Sequence, residues 1–408
     1  MRGTLSFSQG IESDDGDVGT RTGLGFGIAS ATRVETFSLN FGTEIFGDFS
    51  SDANDTFDAT NQSAALRYSR AGGNSRLSFS ALYDDVELDD ETIEGVGDTV
   101  LISTGFAESI AADLELEFGV EGPVGILLNF GRREVDYSET TDPDLLDFET
   151  TSADVLANFR IRPSFTIRAR AGIEREDEEE ILGTSRTEDF YFGIGAETET
   201  ASGMTVTADI LFDSSEVTPA VGGATEEDGV GIELSVTQER TNGFIGVAVS
   251  SRIDEAGRRT SAEVSRGFDL REGAMELSLG VVDQEGDDNL RLIGGVSFER
   301  ETRRGALTAS VSQEAATSSG DAVISTVVDL GISQEIDNVS GWTAGIGFAA
   351  SDELGGEYDS RSTATIAYTR DLTADWEMNT GVEYSKDRDE SSTNTVFFNI
   401  ARDFTFGF

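Results

Sequence analysis

Hydrophobic residues recur at every second position through one stretch of this chain after another, from Leu5 and Phe7 at one end to Phe404 and Phe406 at the other. A period of two puts alternate side chains on opposite faces of an extended strand. One face reads Thr22, Leu24, Phe26 and Ile28, then Leu77, Phe79, Ala81 and Tyr83, then Phe190, Phe192, Ile194 and Ala196, and later Leu277, Leu279 and Val281. Between these lie Ser, Thr, Gly, Asn, Glu, Asp and Arg. The last stretch shows the pattern most plainly. Val396, Phe398, Ile400, Arg402, Phe404, Phe406 and Phe408 fall on one face, and Phe397, Asn399, Ala401, Asp403, Thr405 and Gly407 on the other. The pattern predicts an all-β chain of about 22 strands, within roughly 18–24.

The connections alternate in length. Short turns such as Arg162-Pro-Ser, Thr241-Asn-Gly and Arg271-Glu-Gly alternate with longer acidic loops such as 84–98, 138–147, 176–186 and 214–228. A sandwich of two sheets has no reason for such one-sidedness. A single large antiparallel up-and-down transmembrane β-barrel does, with short periplasmic turns and longer extracellular loops. The expected unit is one barrel domain over residues 1–408, closed by pairing of the last strand with the first, 3–11. The stretch 101–137 is ambiguous. The preferred reading makes 101–110 and 125–137 strands and leaves 111–124 as an inward or extended segment; the alternative makes 114–120 a strand.

Aromatic and cationic residues fit a barrel in a bilayer. Phe165, Phe244, Trp342 and Trp376 open strands just after short turns, as an interfacial girdle does. Arg370 and Arg402, with Arg70, Arg240, Arg266 and Arg300, fall in register with the apolar face near the same end. There a guanidinium can reach lipid phosphates while its stem stays in the apolar layer.

Composition removes other classes. The chain of 408 residues has no Cys and no His, 78 acidic and 29 basic side chains, and a formal charge of −49. Disulfides, thiol chemistry and Ser–His catalysis are excluded, and no enzyme is expected. The charge opposes nucleic-acid binding. No run of eighteen apolar residues encodes a membrane helix. Met1-Arg2 leads directly into strand-like sequence, so residue 1 reads as a mature or artificial start with any export signal removed. Gly25-x-Gly27 and Gly345-x-Gly347 sit inside strands and lack the helix a nucleotide-binding turn needs.

The terminal Phe404-x-Phe406-x-Phe408 resembles the assembly signature of the bacterial outer-membrane β-barrel, porin-like superfamily, and Tyr368-Thr-Arg-Asp371 and Arg402-Asp-Phe404 resemble a pattern in the last hairpins of porin-like barrels. The resemblance implies an integral outer-membrane protein of a Gram-negative bacterium. Its implied partners are the lipid bilayer, lipopolysaccharide, the outer-membrane assembly machinery that reads the last strand, and a plug or periplasmic partner protein.

A barrel of this size has a backbone diameter of about 45 Å, too wide for its own side chains to fill. The expected pore lining begins with Arg160, Arg162, Arg168 and Arg170 from one hairpin, beside Glu197 and Glu199. These form either a ladder for an anionic permeant or a lattice of ion pairs stiffening a wet wall. Asp209, Glu233, Glu263, Glu276, Glu299, Glu377 and Glu383 make the wall acidic and favour cations. No cofactor and no specific metal site is expected. Loosely bound Ca²⁺ or Mg²⁺ at the acidic loops, at Asp52, Asp55 and Asp58 or Asp84, Asp85, Asp89 and Asp90, would use hard oxygen ligands without an EF-hand spacing. The leading expectation is a channel for passive diffusion of ions or small hydrophilic solutes; the alternatives are an export barrel for an anionic polysaccharide and a sleeve filled by a partner protein.

Overall fold

The computed structural model describes residues 1–14, 17–48, 57–87, 105–140, 145–180, 182–285, 289–318, 321–353, 358–388 and 392–407. Among them are twenty-two strands and no helix. The first eight are β1 (Arg2–Asp14), β2 (Asp17–Ala31), β3 (Glu35–Asp48), β4 (Phe57–Ala71), β5 (Ser75–Glu87), β6 (Phe106–Phe118), β7 (Val124–Ser138) and β8 (Phe148–Arg162). Then follow β9 (Phe165–Glu180), β10 (Gly183–Glu199), β11 (Met204–Thr218), β12 (Thr225–Arg240), β13 (Gly243–Asp254), β14 (Gly257–Leu270) and β15 (Gly273–Gln284). The ring is completed by β16 (Arg291–Thr302), β17 (Gly305–Ser318), β18 (Asp321–Asp337), β19 (Ser340–Glu353), β20 (Tyr358–Asp371), β21 (Trp376–Asp387) and β22 (Thr393–Gly407).

Each strand pairs antiparallel with the next, and β22 pairs with β1 through Phe406↔Gly3, Phe404↔Leu5 and Arg402↔Phe7. No edge is left, so every strand finds hydrogen-bonding partners on both sides within the sheet, the condition for crossing hydrocarbon with strands. The strands run from 12 to 17 residues, longer than the ~9–11 a tilted strand needs to span a bilayer. The ring therefore projects beyond the membrane.

Register carries the period of two around the whole ring. Phe26 lies opposite Leu5 and Phe41, Ile194 opposite Ala169 and Ile210, and Leu279 opposite Val264. These outer-face side chains meet no protein layer: Leu279 and Ile194 are each 67% exposed and Ile210 61%. So broad an apolar belt on a monomer marks a lipid contact. At the short-turn rim, neighbours in sequence take opposite faces. Arg240, Arg300, Arg370 and Arg402 point out, while Glu239, Glu299, Asp371 and Asp403 point in.

The expectation for 111–124 is corrected. Residues 111–118 belong to β6, which zips to β5 through Phe79↔Leu114 and to β7 through Leu114↔Phe130. Ala112, Leu114, Leu116 and Phe118 continue the apolar face, and Asp113, Glu115 and Glu117 the inner one; the chain turns only at Gly119, at φ +70°. The four residues 101–104 of the expected strand lie outside the described residues.

The β18–β19 turn sits beyond the belt and is held by Asp337, whose Oδ1 accepts the Val339 N–H at 3.0 Å and the Ser340 hydroxyl at 2.8 Å. Those bonds hold its carboxyl below the usual carboxylate range. A depressed folded-state value means stabilisation that is present above the unfolded value, ~3.9, and lost as pH falls through the folded one. An NMR titration is expected to give Asp337 an apparent pKa below that reference, and Ser340→Ala, which removes one donor, should raise it.

Candidate functional site

The inner face from β8 to β13 holds a charged network. β9 presents Arg168 and Arg170 two residues apart. Arg168 pairs with Asp209 of β11 and lies 3.6 Å from Glu197 of β10; Arg170 pairs with Glu233 of β12. Glu233 also accepts from Arg252 Nη1 of β13 at 2.6 Å, and Arg252 Nε donates to Asp213 of β11 at 3.0 Å. Tyr191 of β10 donates its hydroxyl to Asp154 of β8 at 2.6 Å, with the Arg252 guanidinium 5.1 Å and that of Arg170 5.8 Å from its ring centre. Three guanidiniums, one phenol and five carboxylates thus bind six strands together.

Small residues make the network possible. Asp209 faces Gly195 across the β10–β11 pair, and the ring of Tyr191 lies over Gly172 of β9. A side chain at either glycine would collide with those groups. Gly231 of β12 leaves the same room for Asp213, and Asp209 and Asp213 are only 2% and 1% exposed although they face the lumen. Charges so buried persist only when paired.

The inner wall differs along its length. Toward the loop end, inward Val135 and Val323 are each 1% exposed, and Arg259 of β14 reaches across to the Ala315 carbonyl of β17 at 3.0 Å. There too Arg361 of β20, 3% exposed, grips Asp387 of β21 with two bonds of 2.6 and 2.8 Å. Toward the short-turn end the inward carboxylates of Glu239, Glu276, Glu299 and Glu377 are exposed. These loop-end side chains are packed, and these short-turn-end carboxylates are wet.

The structure unites Arg168, Arg170, Glu197, Asp209 and Glu233 of the expected lining. Glu199, Glu263 and Glu383 face inward from β10, β14 and β21 outside that cluster, as Glu276, Glu299 and Glu377 do from β15, β16 and β21. Two expected arginines differ. Arg160 bonds the Gly119 and Gly122 carbonyls at 3.2 and 2.6 Å, clamping the β6–β7 turn. A bulge between Arg160 and Arg162 then sets Arg162 opposite Phe165, out of the inner column. Glu117 of β6 meets Arg76 of β5 at 3.6 Å. Phe244 also differs. It shares the inner face with Glu239, its ring over Gly267, because Ile245, Val247 and Val249 occupy the outer parity of β13.

Trp342, Trp376, Phe165, Arg370 and Arg402 are on the outer face at the short-turn end. Arg402 lies 5.3 Å from the Trp376 ring centre and 4.2 Å from that of Phe404. Phe404 and Phe406 face outward, and Phe408 lies outside the described residues, as do Asp52, Asp55, Asp89 and Asp90. Among the described residues no group of three or more Asp and Glu side chains is arranged to hold a metal ion.

No protein-family model matches the sequence, and no curated protein matches it. Solved structures do. The ferric-catecholate import receptor Fiu of E. coli K12, in an open form, superposes with a TM-score of 0.63 at 10% identity, over 98% of this chain and 81% of that one. The FrpB iron transporter of Neisseria meningitidis gives 0.61 at 9%, over 99% and 81%. The siderophore receptor PirA of Pseudomonas aeruginosa gives 0.58 at 8%, over 99% and 80%. The fold is that of the outer-membrane β-barrels. With its uninterrupted apolar belt, the barrel is an integral outer-membrane protein, its loops and short turns on opposite sides of the bilayer. At these identities the likeness carries the fold alone. Arg252, Asp213 and Tyr191, absent from the expected lining, are central members of the inner network. The signal available for Arg252 was that it is the one cation in β13, on the parity opposite Ile245, Val247 and Val249.

Proposed function

We propose that the barrel is a passive conduit through the outer membrane for ions and small hydrophilic solutes, selective for cations. One observation carries this reading: inside a closed ring, Glu239, Glu276, Glu299 and Glu377 are exposed to water. Lumenal carboxylates of this kind attract cations and repel anions. The guanidiniums of the inner network, Arg168, Arg170 and Arg252, are each engaged by carboxylates. For that reason the ferric-catecholate cargo named for one structural neighbour is not carried over to this barrel. No covalent chemistry is assigned to any lumenal residue.

In the same reading Trp342, Trp376, Phe165, Arg370 and Arg402 anchor the ring at the periplasmic interface, and the outward Phe404 and Phe406 belong to the segment read during assembly. The test is ion conduction by the purified barrel in a planar bilayer under a KCl gradient. A stepwise conductance with a reversal potential near that of potassium is expected. Silence after verified insertion overturns the conduit, and a reversal potential near that of chloride overturns its selectivity.

A further inference from the structure

Across the ring from the charged network, the inner face of β1–β4 and β20–β22 forms a concavity of about 770 Å³. We propose that this wall binds an uncharged polyhydroxylated solute, that is, a carbohydrate; the proposal rests on the conduit reading, since the solute must reach the lumen. Three observations carry it. The first is the chemistry of the lining. Ser6, Ser8, Asn40, Ser63, Thr395 and Asn399 present hydroxyls and amides, each able both to donate and to accept. A sugar hydroxyl offers the same pair of capacities. Three of the charges that line it are occupied among themselves, since Arg21 lies 3.2 Å from Glu12 and 3.1 Å from Glu44, and Asn61 donates to Glu44 at 3.1 Å.

The second observation is an aromatic surface. Phe397 faces inward from β22, opposite Gly381 of β21. A Cβ on Gly381 would stand 2.6 Å from the tip of the ring, so the missing side chain is what lets the ring lie along the wall instead of projecting from it. A ring laid on a wall turns a face to the lumen, and its negative quadrupole suits the C–H face of a pyranose. An apolar platform among a few placed polar groups is the general form of a small-molecule site.

The third is unsatisfied hydrogen bonding. Asn379 and Asn399 stand opposite one another in the β21–β22 pair, and the side-chain oxygen of each is buried without a donor. An unpaired amide oxygen carries a standing cost, which a solute hydroxyl relieves when the amide turns toward it. Neighbouring Gly23 and Gly25 lie beneath the Ser8 and Ser6 hydroxyls, which keeps this part of the wall low and open.

The test uses the full chain in detergent, with maltotriose as the probe, read by saturation-transfer NMR and by calorimetry. Millimolar binding is expected, unchanged by added salt because no charge is involved. Phe397→Leu keeps volume and apolarity but removes the ring face, and should weaken binding at least tenfold; Asn379→Leu should weaken it as well. Heat-modifiable migration establishes that each variant is folded, and Ser310→Ala on β17, remote from the wall, should bind as the parent does. Absence of maltotriose binding, or equal binding in the parent and both wall variants, overturns the site. A barrel that conducts but does not bind maltotriose removes the site alone, and one that binds but does not conduct removes the conduit alone.

Discussion

Replacing Leu279 with arginine is expected to lower the unfolding free energy of the barrel by about 2–4 kcal/mol, the cost of a cation on a lipid-facing strand position near the bilayer midplane. Leu279 sits in the middle of β15, 67% exposed, and its outer-face neighbours are Val264 on one side and Gly294 on the other. No carboxylate is at hand on that face to neutralise the guanidinium, and from mid-strand it must stretch far to reach phosphate. The adjacent residue supplies the control. Ser278 faces the lumen, so Ser278→Arg should cost well under half as much. Reversible unfolding by guanidinium chloride in liposomes measures both. Equal costs would mean that the outer and inner faces had been interchanged.

Arg252→Ala is expected to cost about 3–5 kcal/mol, the range for removing one partner of a buried pair. The size follows from what is left behind. Asp213, 1% exposed, loses the guanidinium that bonds it at 3.0 Å, and Glu233 loses one of its two cations. Asp213→Ala should cost clearly less, because Arg252 keeps Glu233 at 2.6 Å. The double variant should recover much of the loss, since the buried carboxylate then no longer needs a partner. Unfolding midpoints of the three variants decide the matter. Additive costs would show that Arg252 and Asp213 do not depend on one another.

The contrast between the two faces explains what could be read beforehand. The outer face was legible because each strand declares it locally: Phe190, Phe192 and Ile194 need no knowledge of any other strand. Closure of β22 on β1 was legible for the same reason. The inner network was legible only in its members on β9 to β12. Arg170 and Glu233 are far apart in sequence, and Arg252 and Asp213 come from strands with β12 between them, so their meeting depends on registers that no single strand states. Phe244 misled because an aromatic after a turn was read by its place at the strand end and not by its parity. The stretch 111–118 misled because the alternation of Ile102, Thr104 and Phe106 reads as a descending strand of its own, which leaves Leu114 and Leu116 without one.

The alternation at the short-turn rim has a further consequence for how the ring closes. Glu239 precedes Arg240, Glu299 precedes Arg300, and Asp403 follows Arg402, each pair straddling a wall one strand thick. A strand added one residue out of register exchanges its two faces. At these positions the slip would move a guanidinium into the channel and a carboxylate into lipid at once. At these strands misregistration is therefore opposed by charge as well as by lost apolar contact.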